Sequence, residues 1–249
     1  MGDAPLVVMH VNPTLSHQME HAVAFQDGFR RFQQYRFKVS HDQTTPAAYH
    51  IVSGPHFALR QWVGHPRTVL LDVAHYGCQK TTFSVGWILP DGSRHFPKAK
   101  GNRALPYVLP RRAGNQVIVL GDYGQDRDAA LRLFARIGPC SFRAHPHDPW
   151  LGCPVPIAEG PLDQVLASFH VAYGWRSSAL TSAALAGLEV RPQWDGHFCA
   201  WLALRKFSAW CEDLAWMHWS LADIASGACW EWLRATEADL DALGAVPAA

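Results

Sequence analysis

The apolar positions of the chain fall into short runs separated by polar breaks. The first, 6–11 (Leu-Val-Val-Met-His-Val), is an apolar run with the length of a buried parallel strand. Asn12-Pro13-Thr14 breaks it and opens a predicted helix over 15–32, whose apolar positions Met19, Ala22, Val23, Phe25, Phe29 and Phe32 recur at three- and four-residue spacing. Further apolar runs at 49–52 and 68–72 predict strands, with a turn at Ser53-Gly54-Pro55-His56 and a short helix over 57–63 between them. Strand, helix and strand in this rhythm indicate parallel α/β packing.

The rhythm then stops and restarts. Residues 86–101 are rich in Pro, Gly and Asp, with a turn expected at Pro90-Asp91-Gly92, and 106–114 reads as an exposed linker. After it come a strand over 116–120, a glycine-bracketed loop over 121–125, a helix over 128–137 and a strand over 141–145. A helix over 162–169, a short strand over 171–173 and a helix over 177–186 follow. The region 198–233 reads as helical and dense in Trp. The pattern predicts two α/β domains joined by a linker.

Composition changes this picture in two places. With 249 residues and 49% hydrophobic content the chain can bury a sizeable core. The net charge of +1 argues at first against a polycation, but residues 1–150 carry 17 Lys and Arg against 10 Asp and Glu, and residues 151–249 carry 5 against 11. The near-neutral total is thus a cancellation between a basic and an acidic part. The cysteines, Cys78, Cys140, Cys153, Cys199, Cys211 and Cys229, form no C-x-x-C pair and read as reduced thiols. Residues 1–10 lack the pattern of a signal peptide, and no apolar stretch reaches the ~20 residues of a membrane helix. A soluble, cytoplasmic protein is expected, with no membrane partner and its oligomeric state open.

Ligands of open parallel sheets bind beyond the carboxyl ends of the strands. The polar residues there lie at 12–17, 41–42, 53–56, 72–75, 121–125, 145–148 and 173–178. Tyr173-Gly174-Trp175-Arg176-Ser177-Ser178 joins a strand to a helix start and offers backbone N–H groups and hydroxyls to a phosphate; an ordinary N-cap pair gives the same pattern. Gly121-Asp122-Tyr123-Gly124-Gln125 can bring further N–H groups to a second phosphate, and Arg143-Ala144-His145-Pro146 places an imidazole at the same rim. Cys140, His145, His147 and Cys153 have the donor types of a zinc site, but their spacing fits one poorly and no metal is expected. In the basic part Asp72 ends an apolar strand and is a candidate general base, with His56 and His75 as alternatives. His17 and Glu20 open the first helix and can face the same cleft.

These segments resemble two-domain GT-B glycosyltransferases, in the group containing bacterial capsule Kdo transferases, bacterial sialyltransferases and related phage enzymes. That group has an acidic D/E-D/E-G motif, a His-Pro motif and a serine pair. Here Asp72-Val73-Ala74-His75-Tyr76-Gly77, Arg143-Ala144-His145-Pro146 and Ser177-Ser178 stand in that order over 70–190. The acidic motif keeps its first carboxylate only. Ser182 stands where relatives often carry a ribose-binding Glu, and Glu189 where a proline is common. The tail, with Asp213-Leu214-Ala215-Trp216 and His218-Trp219-Ser220, looks like that of glycosyltransferase-like phage proteins.

The resemblance implies an α/β, GT-B-like fold of two Rossmann-type domains facing a central cleft. It assigns 1–112 to the acceptor, 113–197 to a nucleotide-sugar donor, and 198–249 to a Trp-rich helical segment packing across both. It implies Asp72, with His75 and His56, on the catalytic side. Gly121, Tyr123, Gly124, Gln125, His145, Pro146, Arg176, Ser177 and Ser178 would hold the donor, a UDP-sugar by preference, without a metal. His17, Arg60, Lys80, Lys98 and Lys100 would face the acceptor.

The expected activity is transfer of a sugar to an acceptor hydroxyl, with 5-hydroxymethylpyrimidine in phage DNA as the preferred acceptor. The cations of residues 1–104, Arg30, Arg31, Arg36, Lys38, Arg67, Arg94 and Arg103 among them, would meet DNA phosphates. Phe57, Trp62, Tyr76 or Trp87 would stack on a flipped base. A capsular or other glycan acceptor, and a catalytically silent DNA-binding accessory protein, are the alternatives.

Overall fold

The computed structural model describes residues 4–12, 14–41, 45–53, 65, 67–73, 82–89, 94–97, 103, 114–195, 197–204 and 206–242. The expected helix over 57–63, the turn at Pro90 and the linker at 106–113 lie outside these residues. The strands in chain order are β1 (Leu6–His10), β2 (Arg36–Ser40), β3 (Tyr49–Ser53), β4 (Thr68–Val73), β5 (Thr82–Ile88), β6 (Arg94–His95), β7 (Gln116–Leu120), β8 (Ser141–Arg143), β9 (Phe169–Gly174), β10 (Glu189–Pro192) and β11 (His218–Ser220). The chain divides into two compact units, one made of Met1–Ala104 with Glu212–Ala249, the other of Leu105–Cys211. The fold is mixed α/β, with a parallel sheet in the second unit and, in the first, a sheet whose pairings are parallel from β1 to β4 and antiparallel beyond.

The first unit is built on a sheet of order β11-β5-β4-β3-β1-β2, with β6 paired to β5. Strands β1 to β4 pair in parallel, as the apolar runs at 6–11, 49–52 and 68–72 led one to expect. Strands β5, β6 and β11 are antiparallel additions that the sequence reading did not anticipate. Strand β5 reads Thr-Phe-Ser-Val-Gly-Trp-Ile, and its alternate residues Phe83, Val85 and Trp87 enter one core. Strand β2 alternates in the same way at the sheet edge, with Arg36 and Lys38 exposed. In β2 period two marks a strand covered on one face, whereas β5 is buried on both and alternates because small Ser84 and Gly86 fill its second face.

The first helix spans Ser16–Phe29, three residues short of expectation at its end, and rests on this sheet. Its inward face carries Gln18, His21, Ala22, Phe25 and Phe29, whereas Met19 and Val23 are 36% and 55% exposed. The apolar stripe read from sequence was therefore rotated, because polar Gln18 and His21 turn inward near the strand ends. Gly28 lets the short helix Leu221–Ala225 cross at backbone distance: a Cβ at Gly28 would stand 2.4 Å from the carbonyl oxygen of Ile224.

The Trp-rich region does not act as one helical segment. The 3₁₀ stretch Phe198–Leu204 belongs to the second unit, while β11 and the helix Ala228–Ala235 complete the first. Trp230 is 1% exposed and touches the rings of Phe29, Tyr35 and Tyr49 at centroid distances of 4.6, 5.6 and 5.3 Å. Arg103 joins the same assembly: its guanidinium lies 3.7 Å from the Trp219 ring centroid and bonds Asp223 at 2.9 Å. Asp223 in turn closes a capping box with Ser220 at the start of Leu221–Ala225.

The second unit has a four-stranded parallel sheet of order β10-β9-β7-β8. The helix after β7 spans Arg127–Ile137 and begins where Asp126 accepts the Ala129 N–H at 3.0 Å. It packs Ala130, Leu133 and Phe134 over Val119, Phe142, Val171 and Tyr173. Helices Leu162–Leu166 and Ala179–Leu185 complete the unit. The strand expected over 141–145 stops at Arg143, which leaves His145 in the following turn, bridged to Asp148. No helix among the described residues is long and apolar enough to cross a membrane.

Candidate functional site

In the second unit the loops after β7, β8 and β9 leave the same edge of a parallel sheet, and side-chain bonds tie them together. Asp122, next to the end of β7, is 7% exposed and accepts the Arg176 N–H at 2.8 Å. The Arg176 guanidinium stands 3.8 Å away. Burial raises the Asp122 pKa, and the Arg176 main chain and side chain hold that rise back. Gly121, the first loop residue, is buried and gives its N–H to Arg143 O at 2.8 Å. The β7 and β9 loops are thus joined through Asp122, and the β7 and β8 loops through Gly121.

The N–H groups expected to meet a phosphate in 121–125 already have acceptors. Asp148 Oδ2 receives the Gly124 N–H at 2.9 Å and the Gln125 N–H at 3.3 Å. The Asp122 N–H goes to Gln125 Oε1 at 3.2 Å. Gly124 takes φ +65°, with open space where a Cβ would point. Only this left-handed turn brings its N–H and the next onto one acceptor. Tyr123, 70% exposed, projects from the loop with its ring 5.7 Å from that of His145.

His145 is half-buried, and its Nδ1 accepts the His147 N–H at 3.2 Å. The remaining proton of a neutral ring is therefore on Nε2. Burial lowers the His145 pKa, with His147 adding to the fall, so this neutral form is favoured. Pro146 is exposed beside it.

Ser177 and Ser178 stand half-buried at the start of Ala179–Leu185. Ser178 has helical dihedrals and its side chain makes no capping bond, which sets aside the N-cap account for Ser178. Ser177 is held from behind: its carbonyl accepts from His197 Nε2 at 3.1 Å, and His197 Nδ1 accepts the Cys199 N–H at 3.0 Å. His197 is 3% exposed, and burial lowers its pKa. Both ring nitrogens are satisfied only by the neutral tautomer carrying its proton on Nε2.

In the first unit Asp72 lies within β4 rather than beyond it, in register with Ser84 of β5. Ser84 is in register with His218 of β11. Carboxylate, hydroxyl and imidazole thus occupy one face of three neighbouring strands. His218 Nδ1 meets Leu214 O at 2.6 Å and must carry the proton, because a carbonyl only accepts. On the opposite face His21 Nδ1 lies 2.8 Å from Ser53 Oγ, and the Phe83 ring stands 4.2 Å from that of His21. Burial drives the His21 pKa down to about 4, helped by His17. His17 itself is exposed on the first turn of its helix.

His56, His75, Arg60, Lys80, Lys98 and Lys100 lie outside the described residues, as do Phe57, Trp62 and Tyr76. Trp87 is 0% exposed in the core, so it cannot stack on a base. Of the cations assigned to DNA, Arg30 pairs with Asp27 at 3.1 Å on the helix surface, Arg36 Nε donates to Ala4 O at 3.1 Å, and two more are held by residues far along the chain. Arg67 pairs with Glu237 and faces the Tyr49 ring, and Arg103 pairs with Asp223 and Trp219. Among the described residues no three His, Cys, Asp or Glu side chains gather as a metal ion requires.

Sequence reasoning put Asp122 and Asp148 in strand-end segments, 121–125 and 145–148, but gave them no role, and it did not place His197 or His218 at these edges. Asp122 had a signal, an acid closing an apolar strand as Asp72 does. His197 had none, since its bond to Ser177 spans 20 residues.

No family model matches the sequence, and no curated protein matches it. Among solved structures the fold is similar to that of Thermosulfurimonas dismutans KpsC, a beta Kdo 2,7 transferase. The TM-score is 0.51 at 9% sequence identity, covering 92% of this chain and 99% of that one.

Proposed function

We propose that this protein is a glycosyltransferase that takes a sugar from a nucleotide-sugar donor, a UDP-sugar by preference, to an acceptor hydroxyl. The observation that carries the reading is the tied edge of the second unit. Asp122 grips the Arg176 N–H, His197 grips the Ser177 carbonyl, and His145, its Nδ1 accepting the His147 N–H, keeps Nε2–H as a donor. Donors held in place by buried partners suit the charge that grows on a departing diphosphate, because they need not reorganise as the bond breaks. Likeness of fold to a Kdo transferase supports the same reading.

In this reading Asp72 removes the acceptor proton and His145, Ser177, Ser178 and Arg176 bind the donor, in a GT-B arrangement. A 5-hydroxymethylpyrimidine in DNA is the acceptor suggested by the basic first part of the chain. The internal pairing of Arg67 and Arg103 removes two cations from that stripe and favours a second reading, a glycan acceptor. Offering hydroxymethylpyrimidine DNA and capsular oligosaccharides to the protein with a panel of nucleotide sugars separates them by the mass gained. No transfer to either with any donor would sink the glycosyltransferase reading in favour of a silent binding protein. In an active enzyme, Asp72→Ala should abolish turnover and leave nucleotide binding intact.

A further inference from the structure

We propose that Asp148 is an internal stand-in for a phosphate, which an anionic ligand must displace before it can bind the β7 loop. This rests on the reading of the second unit as the nucleotide-binding one. The Gly124 and Gln125 N–H groups converge on one carboxylate oxygen, at 2.9 and 3.3 Å, through the left-handed turn at Gly124. Two successive N–H groups aimed at one point form an anion cradle. Arg127 stands 3.9 Å from the other oxygen. The His145 and His147 rings lie 5.7 Å apart on the same turn as Asp148. The neighbouring acid, Asp122, is engaged with Arg176 instead. Take away the Asp148 carboxylate, and the cradle keeps two N–H donors, a guanidinium and two imidazoles.

Asp148 is placed to leave. It sits in a short turn closed by its own N–H to His145 O at 2.9 Å, and it is only part-buried. Its departure would free the Gly124 and Gln125 N–H groups together and release the turn that carries His145. Loop closure on the ligand and repositioning of the imidazole would then be one event. A cradle that is self-occupied most of the time weakens its ligand by the fraction open; one free a tenth of the time costs about tenfold in affinity.

The test is calorimetric titration of the full-length protein with UDP and with inorganic pyrophosphate, comparing wild type, Asp148→Asn and, as a control for net charge, the exposed Asp163→Asn. Asp148→Asn should bind both ligands about tenfold more tightly, and Asp163→Asn should match wild type. Equal or weaker binding by Asp148→Asn, with wild type binding normally, overturns the displacement and leaves the nucleotide reading standing. No binding of either ligand to any of the three proteins at millimolar concentration overturns both. If Asp148→Asn does not fold, isotope-edited NMR of wild type decides. The Gly124 and Gln125 amides and the Asp148 carboxyl carbon should shift in step as pyrophosphate saturates, and a stationary Asp148 carboxyl at saturation overturns the proposal.

Discussion

Asp122 shows how one buried carboxylate can serve geometry at a cost to stability. Its folded pKa is raised, so between its unfolded and folded values the native state holds more protons than the unfolded one. Stability from this group therefore falls as pH rises through that window, opposite to the usual carboxylate behaviour. Asp122→Asn keeps an oxygen for the Arg176 N–H without the buried charge and should be as stable as the parent, or more so, at pH 7. Asp122→Ala frees that N–H and should cost about 1–3 kcal/mol in chemical denaturation, with weaker nucleotide binding. His21 and His50 act in the other sense. Both are held neutral by burial with pKa values of about 4, so the unfolded chain takes up more protons between pH 6.5 and 4. Stability should rise through that window with pH and be lost on acidification. His21→Gln combined with His50→Gln should flatten the midpoint of urea unfolding against pH across it.

Elements repeat the lesson at larger size, because what the chain buries is set by neighbours distant in sequence. Gly28 and Ile224 meet at backbone distance. Gly28→Ala should push the helix Leu221–Ala225 away and cost about 1–3 kcal/mol, against a small gain had that helix surface been open. Trp230→Ala should cost about 3–5 kcal/mol by emptying the space among Phe29, Tyr35 and Tyr49; denaturant titration measures both. The parallel strands β1, β3, β4 and β7 were legible in the sequence because strands covered on both faces are written as continuous apolar runs. Strands β2 and β5 carry their signal in alternation, and β11 is three residues inside a stretch whose composition is helical. Of the candidate edge in the second unit, Tyr173 to Ser178 and His145 could be located from strand ends alone. The bonds that hold them, Asp122 to Arg176 and His197 to Ser177, join residues 54 and 20 positions apart, and no local pattern encodes them.

For the molecule as a whole, the two units differ in how the chain builds them. Residues 105–211 form one unbroken unit, with its own parallel sheet and apolar cluster. A fragment of those residues should fold alone and melt cooperatively by circular dichroism. Residues 1–104 should not, since Trp219, Trp230 and Trp232 of the later segment belong to their core. Adding a separate peptide of residues 212–249 to the 1–104 fragment should restore a cooperative transition. A cooperative melt of 1–104 by itself would show that the later segment is an ornament to the first unit rather than a part of it.

Strand β11 and the helices after it give that arrangement a consequence in time. During synthesis the unit second in the chain is the first whose residues are all available, and the first unit waits with its sheet covered only in part, by the helix Ser16–Phe29, until Trp219 and Trp230 leave the ribosome. Synthesis thus runs against the order of the chain: the middle sets first, and the beginning is finished by the end.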